Sequence, residues 1–176
     1  MKSNIYIISP QNVKDNTSLD DNVDDKIIKS SIVNSQEIDL QTKLGSVYYD
    51  ELMEQIANSG LSLDNEAFLL DYVQPFLVQQ AFYYVIPSVY LKATNQGLNK
   101  ITNATNATSV ELADVNFMRN SVKDLADFYL ERIEKELELN KSKYPTYWDS
   151  CTDEQNVKPN KNSYFGGIYI SKNNDK

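Results

Sequence analysis

The sequence contains no histidine. That absence removes the commonest general base, the usual catalytic triads and most zinc sites. Cys151 is the only cysteine. No disulfide can close within the chain, and a reducing compartment such as a cytoplasm is the simplest setting. A reactive thiol would have no histidine to activate it. Glycine is scarce, with five in 176 residues. Gly166-Gly167 is too short to cradle a phosphate and no Lys-Ser/Thr follows it. A Gly-x-Ser-x-Gly nucleophile turn is also missing. The apolar run Ile5-Tyr6-Ile7-Ile8 is too short for the core of a signal peptide and reads as an extended segment. Residues 72–91 carry no charge, but Gln74, Pro75, Gln79, Gln80, Pro87 and Ser88 interrupt them and no basic cluster flanks them. They read as a buried helix, and no membrane contact is expected. Cations are outnumbered 17 to 25, for a formal net charge of −8. Such a chain is unsuited to gripping a nucleic-acid backbone. It remains suited to lining a passage through which DNA slides, because like charge prevents sticking.

What is present is enough for one core: 41% of residues are hydrophobic and the length fits a single domain. Residues 9–18, with Pro10, Asn12, Asn16 and Thr17, read as a linker. A helix is expected from Ser18, with Asp21 at the capping-box position and Val23, Ile27, Ile28 and Ile32 at helical spacing. Its phase shifts near Ser35, and Leu44-Gly45 ends it. A second helix is expected over 46–58, with an apolar face of Val47, Leu52 or Met53, and Ile56, stopped by Asn58-Ser59-Gly60. The third begins near Leu61-Ser62-Leu63-Asp64 and is apolar on almost every side, so it should be buried. Pro75 should kink or restart it and Pro87 should break it. Residues 98–109 read as an exposed polar loop or a short hairpin. A last long helix is expected over 110–140, with the stripe Met118, Val122, Leu125, Tyr129, Ile133 and Leu137. Residues 141–161 read as irregular chain, and 163–170 as a strand or extended arm. The expected fold class is therefore all-α: an antiparallel helical bundle over 1–140 and an irregular C-terminal extension over 141–176.

No constellation for chemistry emerges. Asp20-Asp21-Asn22-Val23-Asp24-Asp25 lacks the glycine and closing glutamate of a calcium loop and reads as helix-capping charge. Glu131, Glu134 and Glu138 share a helix, but the His partners of a di-metal bundle do not exist here. No catalytic residue, cofactor or metal is expected, and the chain reads as a non-enzyme.

Tyrosine is abundant, with 12 residues. Tyr48, Tyr49, Tyr83 and Tyr84 read as core with their hydroxyls reaching the surface. Tyr144, Tyr147 and Trp148 lie beyond the last predicted helix, so they read as contact area for neighbouring subunits. So do Tyr164, Phe165, Ile168, Tyr169 and Ile170. The arm that carries these last five must pair with something, since a lone strand is unfavourable in water. It can fold back on its own bundle or on Ile5–Ile8, or add to a neighbour.

The order of elements resembles the head–tail connector (adaptor) proteins of tailed bacteriophages. The resemblance rests on Ile8-Ser9-Pro10-Gln11-Asn12-Val13, a long helix from Asp24 through Thr42, Leu44-Gly45, and Tyr48-Tyr49-Asp50-Glu51-Leu52. An apolar helical pair, a polar loop and a long amphipathic helix follow. It covers roughly Ile5 to Asn140. The Asn-, Lys- and Ile-rich composition suits a phage of an AT-rich host, such as the crAss-like gut phages. The resemblance implies a virion protein of the neck, made in the host cytoplasm. It implies self-association into a ring, usually twelve-fold, between the portal protein and a tail or second neck-ring protein. DNA would pass through that ring without sequence-specific binding. The long chain after Asn140 departs from the smaller members. A soluble helical adaptor or regulator that binds one protein partner is the other reading.

Overall fold

A computed structural model of the protein describes residues 5–94, 97–100 and 112–150. The expected all-α bundle is what forms. The first helix, α1, spans Pro10–Asp15. Ser9 Oγ accepts from the Asn12 amide at 3.0 Å, and Pro10 occupies the first helical position. This overturns the linker reading of 9–18. A proline at a helix start loses no hydrogen bond, because that amide has no partner within the helix anyway. α1 drives Val13 into the core, where it is fully buried.

The next helix starts later than Ser18. Asp20 Oδ1 accepts from the Asn22 amide at 2.8 Å, a local turn that competes with helix. Asp24 is the true cap, taking the Lys26 amide at 2.9 Å, and α2 spans Asp25–Asn34. Without a break it passes into a π turn at Ser35–Leu40 and then α3 at Gln41–Leu44. The phase shift near Ser35 is this π turn, which holds more residues than an α turn and so rotates the apolar face. Gln36 from the turn pins the N-terminal segment: its Oε1 accepts from the Ile7 amide at 2.9 Å and its Nε2 donates to Ile5 O at 3.1 Å.

Gly45 ends α3 at φ 74°, a conformation that strains any residue with a Cβ. α4 spans Ser46–Ala57. Its buried residues are Tyr48, Tyr49 and Leu52, while Val47 faces outward, so the expected face is rotated by the tyrosines. Ser62 Oγ caps α5, Leu63–Phe68. A second π turn, Leu69–Val73, leads into α6, Gln74–Tyr90. Pro75 therefore neither kinks nor restarts the helix. The carbonyl its ring would press against lies in the wider turn just before it. Pro87 does not break α6 either, and is carried one turn from its end.

The antiparallel hairpin β1, Leu91–Thr94, and β2, Gly97–Lys100, follows, with Leu91 opposite Lys100 and Thr94 opposite Gly97. It lies earlier than the polar loop read at 98–109. α7 spans Leu112–Leu139 and α8 spans Pro145–Ser150.

α6 is the central helix, packed chiefly against α7 and α2. It buries Phe76, Leu77, Val78, Ala81, Phe82, Val85 and Ile86. Apart from Ala81, each such side chain contributes about 1.5–3 kcal/mol relative to exposure. α8 packs on α4, so residues 141–150 belong to the bundle and a division after Asn140 does not mark its edge. Pro145 starts α8 where irregular chain is expected, because a proline at a helix start forfeits no hydrogen bond. The strand or arm read at 163–170 lies outside the described residues.

Candidate interaction surface

Tyr144 and Tyr147 are 2% and 6% exposed, inside the core of their own chain. Tyr144 lies 5.1 Å from the Phe68 ring and 6.2 Å from that of Tyr48, and Tyr147 lies 6.1 Å from Tyr48. The interface assignment for these two is corrected: α8 folds them back, so they have no surface to offer. Trp148 is half-buried. Its Nε1 donates to Leu137 O at 3.0 Å, satisfying a carbonyl in the last turn of α7, and Lys141 Nζ sits 4.2 Å over its ring. Tyr164, Phe165, Ile168, Tyr169 and Ile170 lie outside the described residues.

The buried hydroxyls in this cluster all find partners. Tyr48 Oη donates to Asn65 Oδ1 at 3.0 Å, and Asn65 Nδ2 donates to Gln55 Oε1 at 2.9 Å. Tyr144 Oη donates to Glu136 Oε1 at 3.0 Å. Burial pushes the Tyr48 phenol well above its ordinary range. Burial and then the Glu136 hydrogen bond do the same for Tyr144. These phenols stay protonated and serve the core.

A polar seam joins the first π turn, α6 and α7. Gln80, fully buried, donates through Nε2 to Asp39 Oδ2 at 2.9 Å, and Tyr84 Oη donates to the same oxygen at 2.9 Å. Lys123 Nζ is 3.5 Å from Gln80 Oε1 and 2.7 Å from Asp127 Oδ1. The Arg119 guanidinium stands 4.4 Å over the Tyr83 ring. Burial, followed by the bond to Asp39, raises the Tyr84 pKa. The seam clamps three elements together but offers no nucleophile and no open acid–base pair. Among the described residues no group of three or more His, Cys, Asp or Glu could hold a metal ion.

The surface that stands out is on α7. Phe117, Leu125 and Phe128 are 76%, 49% and 56% exposed. With Ser121 between them they are spaced four, four and three residues apart, which is one line along a helix. The line that faces the core is different: Val115, Val122, Ala126, Ile133 and Leu137. The stripe read from sequence mixed the two, since Met118 and Leu125 are exposed. Phe117 and Phe128 were missed. Their separation of eleven residues, three helical turns, was the available signal. An exposed apolar line on a long helix is suited to a partner's helix or groove.

A family model matches residues 40–157, two thirds of the chain. The chain belongs to that family, DUF6712, a family of unknown function. No curated protein and no solved structure matches it. The family match runs from the first π turn through α8, so it takes in the α7 surface and the aromatic cluster. Among the described residues no helix is long and apolar enough to cross a membrane.

Proposed function

We propose that this DUF6712 protein is a structural subunit that works by assembly and not by catalysis: a ring subunit of the phage neck, below the portal, joining head to tail and extending the DNA channel. The observation that carries the reading is the outward apolar line Phe117–Leu125–Phe128 on α7. A single copy leaves it in water, and neighbouring copies in a ring would cover it. Two sequence features support the same reading: the order of helices that resembles the connectors, and the net charge of −8, which repels DNA from the wall of a channel. The partners are further copies of the chain, usually twelve in such rings, the portal protein and a tail or second neck-ring protein.

The same apolar line also fits a lone partner's helix, which is the adaptor reading. Stoichiometry separates the two. Mass spectrometry of purified virions should find the chain as a component in ring stoichiometry with the portal. Its absence from virions would overturn the neck reading, and a single copy held in a complex with one protein would favour the adaptor.

A further inference from the structure

On the bundle, α4, the second π turn and the N-terminal segment enclose a small apolar groove. Ile7, Ile56, Leu61, Leu69 and Leu70 line it, and Glu66 is its only charged lining residue. Its volume is about 180 Å³. Small-molecule clefts run to roughly 300–1,000 Å³, so this groove is sized to anchor a side chain of a peptide. We propose that the groove is the docking site for the chain's own C-terminal segment Tyr164–Ile170, folded back within the same molecule. This goes beyond the proposed neck role and stands or falls separately from it.

Charge points to this occupant. From residue 44 to residue 91 the chain has no lysine or arginine, but it has Asp50, Glu51, Glu54, Asp64, Glu66 and Asp71. All the groove's lining residues but Tyr6 and Ile7 come from this stretch. Residues 155–174, by contrast, hold Lys158, Lys161 and Lys172 and no carboxylate. The apolar segment Tyr164–Ile170 sits between Lys161 and Lys172. A basic-flanked apolar segment thus complements an apolar groove that carries Glu66 and lies mostly in a stretch without cations.

Length points the same way. α8 ends at Ser150 while packed on α4, and α4 has 12 residues, about 18 Å. Thirteen residues lie between Ser150 and Tyr164, and the fourteen Cα steps can span up to roughly 46 Å. The segment reaches the Ile56 end of α4 with chain to spare. A short tether also holds its cargo at an effective concentration near millimolar, which favours the same molecule over a neighbour in dilute solution.

Cross-linking tests this in the full chain. In a Cys151→Ser background, Ala67→Cys, on the exposed side of α5 beside Glu66, is combined with Ser163→Cys. A short bismaleimide is added at low protein concentration, and products are mapped by peptide mass spectrometry. The control pair is Asn120→Cys, exposed on α7, with the same Ser163→Cys. The expected result is closure within the monomer roughly tenfold faster than in the control pair. The rate should fall with added salt and on Glu66→Lys. Closure no faster than in the control would overturn the proposal. Links formed only between copies would overturn it too, and would assign the groove to a neighbour's arm. Neither result bears on whether the protein occurs in virions.

Discussion

Two apolar lines run along α7 and meet different fates. Val122, Ala126, Ile133 and Leu137 are shut away from water, and Phe117, Leu125 and Phe128 face it. The covered line is mostly small or aliphatic, as fits a helix drawn close to α6. The uncovered line is mostly aromatic, as at docking surfaces, where Phe, Tyr and Trp are enriched. Apolar content alone therefore does not say which side of a helix is core. Side-chain size, and what the neighbouring helix can accommodate, make the difference.

The sharpest test of that contrast removes what seals the covered line from beyond α7. A chain ending at Asn140 loses Tyr144, Tyr147 and Trp148. Deleting a single buried aromatic side chain costs about 3–5 kcal/mol, so this truncation should lose at least that much in urea denaturation. A chain ending at Ser150 should lose far less, no more than the docked segment 164–170 contributes. Should the Asn140 truncation be as stable as the full chain, α8 would be an ornament and not part of the bundle. Within the covered line itself, Ile133→Ala should cost about 2–5 kcal/mol by the same assay.

The tyrosine cluster responds to alkali. Tyr48 has a folded pKa raised above its unfolded value near 10, so the folded state holds its proton more tightly. The resulting stability is fully present below pH 10 and is lost as pH climbs further, at about 1.4 kcal/mol per pH unit for this one group. Tyr144 steepens the loss in the same direction. Tyr48→Phe should flatten the slope of stability against pH above 10; an unchanged slope would show that Tyr48 is not the group that titrates.

The smallest effect on stability belongs to the uncovered line. The double variant Phe117→Ser, Phe128→Ser should change unfolding free energy by only about 0.5 kcal/mol, because both rings are mostly exposed and Phe128 only edges the neighbouring Tyr129 ring at 5.5 Å. It should nevertheless abolish higher-order assembly in native mass spectrometry. A large loss of stability with assembly intact would reverse the assignment of the two lines.

Much of the fold was legible from sequence wherever a helix end carries its own chemistry. Gly45 and Asn58-Ser59-Gly60 fixed the bounds of α4 to within a residue, because a left-handed residue or a glycine leaves few alternatives. The short helices α1 and α8 were not legible. Each opens on a proline, which looks like a breaker until the first-turn position is recognised, where its missing amide costs nothing. The surface on α7 was half legible. Two apolar lines on one helix overlap in any periodic reading, and the best six-residue stripe drew Met118 and Leu125 from one and Val122, Ile133 and Leu137 from the other. Only the neighbouring helix decides between them, and it is distant in sequence.

The two π turns carry a consequence of a different kind. Each holds one residue more than the α turn it replaces. Seen as history, each is a single-residue insertion that a helix absorbed without losing its continuity. Ancestors or relatives without the extra residue would keep a plain α-helix there, with everything downstream rotated by about 100°. The segment after the first π turn carries the buried Leu44, and the segment after the second is the whole of α6. An aligned set of DUF6712 sequences should therefore show one-residue gaps confined to 35–40 or 69–73, each accompanied by a matching shift in which downstream positions are apolar.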